Sequence, residues 1–269
     1  MSDRAYGVVG CGWLGMPIAK EWISRSRVVH GTTSTESKLE KLEEENIIAH
    51  LLSGEESVQI SSENTKWLKT IDVLLLNIPP SSLKESYGDL MLNIVKELNP
   101  EANIIFISST SVYANTNQKV SEQTPLKGKG RNSKYIIEAE EMLREYANHR
   151  LTIIRMSGLI GKGRNPANFM KGREIGGANA PVNLIHLEDC MGIINRIVDH
   201  EIWGETFNAS APNHPTKKEY YTRAANQLSI EPPKFIEDNK DYKIIDSSHL
   251  IEEYNYEFKY LDPLTFPLN

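Results

Sequence analysis

Ala5-Tyr6-Gly7-Val8-Val9-Gly10-Cys11-Gly12-Trp13-Leu14-Gly15 decides the fold. The run to Val9 reads as a strand, the glycines follow in G-x-G-x-x-G spacing, and Met16, Ile18, Ala19, Trp22 and Ile23 then recur at helical intervals. Each glycine has a separate physical task. Gly10 ends the strand in a tight turn, Gly12 leaves the backbone open to a pyrophosphate, and Gly15 lets the helix pack closely on the strand. The amides and positive dipole end of the helix then face an anion. Such a spacing arises easily by chance, and a turn serving packing alone is the competing reading. The position between a strand and a helix gives the motif its weight.

Outward from this unit, Arg27 to Gly31 reads as a second strand and Thr35 to Glu45 as a charged helix with Leu39 and Leu42 facing in, N-capped by Ser34 or Thr35. Ile47 to Leu51 is a third short strand. Ile71 to Leu76 is a continuous apolar run suited to a central strand buried on both faces, stopped by Pro79-Pro80. A helix from about Ser82 to Leu98 precedes the strand Asn103 to Ser108, and a helix from Ser133 to Asn148 precedes the strand Leu151 to Arg155. This alternation predicts an α/β, Rossmann-type doubly wound parallel sheet, with ligand in the crevice beyond the carboxyl ends of the strands. From Met156 the pattern gives way to polar sequence rich in glycine (Gly158, Gly161, Gly163, Gly172, Gly176, Gly177), which reads as loops over the crevice. Short strands at Val182 to Ile185 and Thr206 to Asn208 flank a helix from Glu188 to Asp199, and Thr216 to Leu228 is a later helix. The expected organisation is a dinucleotide-binding domain over 1–156, to which 182–209 returns, and a small C-terminal α/β substrate-binding lobe of 157–181 and 210–269.

The 269 residues, 39% hydrophobic and 25% charged, suffice for one large core and an appended lobe. A net charge of −6 without a basic stripe argues against a nucleic-acid partner and for a small molecule. No apolar run reaches the roughly 18 residues of a bilayer span, and no signal peptide is evident, so no membrane partner and a cytoplasmic location are expected. Cys11 and Cys190 suggest neither a disulfide framework nor a metal site, and Cys11 reads as a small filler in a tight loop.

The second strand ends in Gly31-Thr32-Thr33-Ser34, where an NAD-selective chain places an acid on the ribose 2′-hydroxyl. The first acid after it is Glu36. Thr32, Thr33 and Ser34, with Lys38 nearby, suit the 2′-phosphate of NADP. NADP is therefore the preferred cofactor and NAD the alternative, while helix capping by the same hydroxyls is compatible with either.

Ser108-Ser109-Thr110-Ser111-Val112-Tyr113 follows the fifth strand. Together with Val120-Ser121-Glu122-Gln123-Thr124-Pro125, Ser133-Lys134 with Glu138, Arg155 with Gly158 and Gly161, Asn183 to Asp189 and Glu205 to Asn208, it resembles the extended short-chain dehydrogenase/reductase superfamily, also called the NAD-dependent epimerase/dehydratase family. The resemblance covers nearly the whole chain. Within that superfamily the likeness is to the bacterial YeeZ-like branch of atypical members, through Gly12 to Pro17 and Asp262-Pro263-Leu264. It implies that Gly10, Gly12, Trp13, Leu14, Gly15, Asn77, Ile78, Pro79 and Ser108 contact the cofactor and that Ser109 helps bind a substrate oxygen. Typical members use Tyr-x-x-x-Lys, in which a Tyr of lowered pKa exchanges a proton beside the Lys. Lys134 matches that Lys, but Gly130 stands at the Tyr position and no Tyr of the chain has a Lys four residues on.

The catalytic candidates left are Ser109, Thr110, Tyr113 and Lys134. Tyr135, about 100° round the helix from Lys134, is expected to pack. Arg164, of Arg155, Arg164 and Arg173, is the preferred group for an anionic part of a substrate, and His186 reads as a structural brace. The function implied is an NAD(P)-binding oxidoreductase or epimerase-like protein with a small, unidentified substrate. A non-catalytic NADP(H)-binding sensor or regulatory module is the alternative. A homodimer through the helices Ser82 to Leu98 and Ser133 to Asn148 is implied as well, with Leu90, Ile94, Ile137 and Met142 facing either a partner or the core.

Overall fold

A computed structural model of the chain describes residues 4–52, 60–80, 83–170, 172–236, 238 and 240–267. In chain order its elements are β1 (Ala5–Val9), α1 (Gly15–Ser24), β2 (Val28–Thr33), α2 (Leu39–Glu43), β3 (Ile48–Leu51), α3 (Ser62–Leu68), β4 (Val73–Leu76), α4 (Tyr87–Lys96), β5 (Asn103–Ser109), β6 (Gln118–Val120), α5 (Ser133–Ala147), β7 (Leu151–Met156), β8 (Gly158–Ile160), α6 (Ala167–Met170), β9 (Glu174–Gly176), β10 (Leu184–His186), α7 (Leu187–Asp199), β11 (Thr206–Ala209), α8 (Lys217–Gln227), β12 (Lys234–Ile236), β13 (Lys243–Ile245) and α9 (Ser248–Glu252). A seven-stranded sheet runs β11-β7-β5-β4-β1-β2-β3. Its ladders are parallel, with Tyr6 opposite both Val29 and Val73 and Leu75 opposite Ile105. Chain order reverses between β1 and β4, which is where a doubly wound sheet opens its crevice.

Burial explains why this sequence takes that order. The apolar runs of β4 and β5 occupy the middle, where Leu74, Leu75, Leu76, Ile104, Ile105 and Phe106 are fully buried. α1 turns Ile18, Ala19 and Trp22 inward. α4 and α5 pack on each other, helped by Gly88, where a Cβ would meet Met142 Sδ at 2.7 Å. Leu90 and Ile94 are therefore core, while Ile137 and Met142 are half-buried.

The chain divides into two compact units, Met1–Ser109 with Gly130–Ile154 and Ile197–Thr206, and Thr110–Lys129 with Arg155–Arg196 and Phe207–Asn269. The second is held by short parallel ladders, β6 with β13, β8 with β10 and β9 with β12. Its apolar cluster gathers Ile160, Val182, Leu184, Ala211, Tyr220, Ala224 and Phe266. Buried Asp189 accepts the Lys259 amide at 2.7 Å, the Tyr260 amide at 3.1 Å and the Tyr256 hydroxyl at 3.2 Å. His186 lies edge-on to Tyr260 and Phe266, with its Nδ1 accepting the Glu188 amide at 3.3 Å.

Several local expectations are corrected. The glycine-rich stretch from Gly158 to Gly177 is not loop alone, since it carries β8 and β9, and β12 and β13 further on were not anticipated, each of the four being three residues long. α3 was not anticipated. The helix expected over Thr35 to Glu45 is a 3-10 turn at Glu36–Lys38 followed by the short α2. The 3-10 turn starts from Thr35 without a side-chain cap hydrogen bond, and Thr33 Oγ1 takes the Thr35 amide at 3.2 Å. The helix expected from Ser82 is a 3-10 turn at Lys84–Ser86 leading into α4, and Ser82 itself lies outside the described residues. Among the described residues no helix is long and apolar enough to cross a membrane.

Candidate functional site

The turn after β1 is built from backbone and small groups. Gly10 has φ +100°, a conformation that a side chain would strain. Its amide donates to Thr32 Oγ1 at 2.9 Å, its carbonyl accepts Asn77 Nδ2 at 3.2 Å, and the Cys11 amide reaches the Thr32 carbonyl at 2.9 Å. A Cβ on Gly15 would collide with the Gly10 carbonyl oxygen, so helix and turn touch directly. A Cβ on Gly12 would meet nothing within 4 Å. That open approach fits a pyrophosphate lying against the backbone. Burial pushes the Cys11 thiol up to about 12, which leaves it protonated and unreactive near neutrality.

Around this turn the first unit encloses a cleft of about 330 Å³. Gly10, Cys11 and Gly12 form one side, Thr32, Thr33, Ser34, Lys38 and Leu52 a second, and Asn77, Ile78, Pro79, Leu83 and Leu90 a third. Two hydrogen bonds fix the walls. The Leu52 amide donates to Thr33 O at 2.9 Å, and the buried Tyr87 hydroxyl donates to Ile78 O at 2.9 Å. Lys38 is the charged residue among the described lining, which includes no carboxylate. Nine residues read from the sequence as cofactor contacts thus meet on one cleft. Cys11, Leu52, Leu83 and Leu90 were missed as lining. The seven-residue interval from Leu83 to Leu90 was the one available signal, while Leu52 comes to the cleft through the pairing of β3 with β2.

The other candidates lie apart from the described lining. Leu14 is buried beneath the turn, and Trp13 is partly exposed beside it. Ser108 is buried, with its hydroxyl donating to the buried Glu140 carboxylate, and Ser109 is half-buried at the end of β5. Lys134 is exposed on the first turn of α5, 3.6 Å from Glu85 Oε1. The Tyr135 hydroxyl donates to that same oxygen at 2.8 Å. Contact with Tyr135 and then the Glu85 charge raise the Lys134 ammonium above its ordinary value, which keeps it cationic.

In the second unit, Thr110 is buried and the Tyr113 hydroxyl is engaged twice. It accepts from Arg155 Nη1 at 2.7 Å and donates to Asn208 Oδ1 at 2.8 Å. Burial raises the Tyr113 phenol above its ordinary value. Arg164 is exposed, with its amide on Gly161 O at 2.8 Å.

A parallel doubly wound sheet with a glycine turn opening a cleft at its topological switch defines an NAD-binding Rossmann protein. Residues 5–132 match the family described as the NAD binding domain of 6-phosphogluconate dehydrogenase. Over 274 aligned positions, spanning 98% of the chain and 99% of the relative, the sequence is 34% identical to protein YeeZ of Escherichia coli strain K12. The chain belongs to the YeeZ family. The same fold is seen in dTDP-glucose 4,6-dehydratase of Bacillus anthracis str. Ames, solved in complex with NAD, with a TM-score of 0.77, 16% identity and coverage of 97% of this chain and 94% of that one. It recurs in UDP-N-acetylglucosamine 4-epimerase of Bacillus cereus, with a TM-score of 0.75, 16% identity and coverage of 97% and 93%.

Proposed function

We propose that the cleft binds a nicotinamide dinucleotide, with NADP(H) preferred over NAD(H), in a protein that carries out oxidoreductase or epimerase-like chemistry on a small substrate. The observation that carries the cofactor preference is the wall at the end of β2. It offers Thr33, Ser34 and the Lys38 ammonium, with no carboxylate among the described lining residues. An acid there would bind a ribose 2′-hydroxyl and repel a 2′-phosphate, whereas hydroxyls and a cation favour the phosphate. The match of residues 5–132 to an NAD binding domain, and the NAD complex of the B. anthracis dehydratase, support the nicotinamide class. When bound, the nicotinamide supplies hydride exchange. This chain's part is to seat the pyrophosphate at Gly10 to Gly15, hold the ribose wall through Asn77 to Pro79, and present Ser109 and Lys134 to a carbonyl or hydroxyl.

Equilibrium titration of NADPH and NADH into the purified protein tests this. NADPH is expected to bind about ten-fold tighter, or about 1.4 kcal/mol, and Lys38→Gln to remove most of that difference. Equal affinities, or an unchanged preference in Lys38→Gln, would contradict the 2′-phosphate wall.

A second reading, a nucleotide sensor without turnover, is favoured by one specific observation. Gly130 stands four residues before Lys134, where the resemblance to typical short-chain dehydrogenases would put a tyrosine, and the Tyr113 hydroxyl is already held between Arg155 and Asn208. Tight binding of NADPH with no oxidation of it across a broad panel of aldehydes, ketones and keto sugars would select the sensor.

A further inference from the structure

On the β2–β3 side of the first unit, His30 Nδ1 and His50 Nε2 lie 2.9 Å apart with their rings 7° from parallel. Both rings stack on the Trp67 indole, at 5.6 and 4.5 Å between centroids. Two nitrogens so close need one N–H and one lone pair between them, which holds only while at least one imidazole is neutral.

This stack is joined to the cleft through covalent and hydrogen-bonded neighbours. Thr32 stands directly opposite His50 in the β2–β3 ladder, and Thr32 Oγ1 is the group that takes the Gly10 amide. Thr32 follows His30 by two residues and Leu52 follows His50 by two, so the alternation of extended chain sets all four on one face. Thr32 and Leu52 both line the cleft. Trp67 Nε1 donates to Asn64 Oδ1 at 2.8 Å, and Asn64 Nδ2 donates to Leu51 O at 3.0 Å, which ties the indole to the residue before Leu52.

The surroundings provide little to offset a second positive charge. From β1, Gly7 stands opposite His30 and brings no side chain. From α3, Asn64, Trp67 and Leu68 are buried while Glu63, Lys66 and the adjoining Lys69 are exposed. On β3 the neighbour is Ile48. Among these described residues, the titratable groups that face the pair are the two imidazoles themselves.

We propose that the His30–His50 pair is a proton-sensitive latch on the nucleotide cleft. With a neutral partner it holds β3 and α3 against β2 and keeps Thr32 and Leu52 in place, and when both rings are protonated the strands part and nucleotide binding weakens. The inference rests on reading the cleft as a nucleotide site. Burial lowers His30, and burial together with the His30 charge brings His50 to about 4, against an ordinary value of 6.5. The opened form therefore takes up its proton first. The latched form is fully favoured above pH 6.5 and is lost as pH falls from there through about 4.

The test is calorimetric titration of NADP⁺, and of NAD⁺ in parallel, from pH 8 to pH 4.5, alongside tryptophan fluorescence of the nucleotide-free protein with a Trp67→Phe variant subtracted. Wild type is expected to lose about ten-fold in affinity for both nucleotides between pH 6.5 and 4.5, with a change in the Trp67 signal over the same range. Loss for NADP⁺ alone would be the titration of the 2′-phosphate and would overturn the latch. His50→Gln, and independently His30→Gln, are expected to show neither the affinity loss nor the fluorescence change. Either variant following the wild-type pH curve overturns the latch and leaves the nucleotide site standing. No nucleotide binding at any pH overturns the site and the proposal with it.

Discussion

A methyl group on Gly15 would strike the Gly10 carbonyl oxygen, a backbone atom that cannot swing aside, whereas a methyl on Gly12 meets nothing within 4 Å. The two alanine variants are expected to separate packing from binding. Gly15→Ala should lower stability by about 1–3 kcal/mol through overpacking, read as a shift in the urea midpoint. Gly12→Ala should leave that midpoint within about 0.5 kcal/mol and reduce NADPH affinity at least ten-fold, because the added methyl stands where the pyrophosphate would lie. Near-wild-type nucleotide affinity in Gly12→Ala would place the phosphates elsewhere. The turn at Gly10 and the close packing at Gly15 were legible in the sequence because each depends on the lack of a side chain at a fixed offset from a strand end. The capping role read for Ser34 or Thr35 was not, because whether a hydroxyl reaches an amide depends on the local turn, and here Thr35 opens the turn without a side-chain cap.

At the scale of elements, α3 links the histidine stack to the sheet. Ser61 caps it by accepting the Asn64 amide at 3.2 Å, and the helix buries Asn64, Trp67 and Leu68. Ser61→Ala is expected to cost about 1 kcal/mol, and fluorescence-detected urea unfolding at pH 7 measures it. No change would mean that the cap is solvated rather than stabilising. Seven mostly polar residues give too few turns for periodicity to stand out, so α3 was hidden. α4 and α5 were visible because each carries several turns of apolar residues at helical spacing, although which of those residues face the other helix waited on packing. Gly88 beside Met142 settles the point for α4, since close approach there places Leu90 and Ile94 in the core.

For the whole molecule, a ligand that binds only the folded chain stabilises it by mass action, so NADPH at one hundred times its Kd should add about 2.7 kcal/mol. That corresponds to a rise of roughly 5–10 °C in Tm for a chain of this size. All four tryptophans, Trp13, Trp22, Trp67 and Trp203, belong to the first unit, so a fluorescence melt reports the unit that carries the cleft. An unmoved melt at saturating NADPH would contradict nucleotide binding there. The sequence by itself determined the alternation of strand and helix, the glycine turn, the buried central strands and the family, because local periodicity, backbone freedom and motif spacing are all written within short stretches of chain. Tertiary structure alone decided the rest. Leu52 became a wall of the cleft, His30 met His50 twenty residues on, Tyr113 was spent on Arg155 and Asn208, and β6 found β13 across more than a hundred residues. Contacts between residues far apart in the chain depend on how whole elements pack, and no local pattern records that.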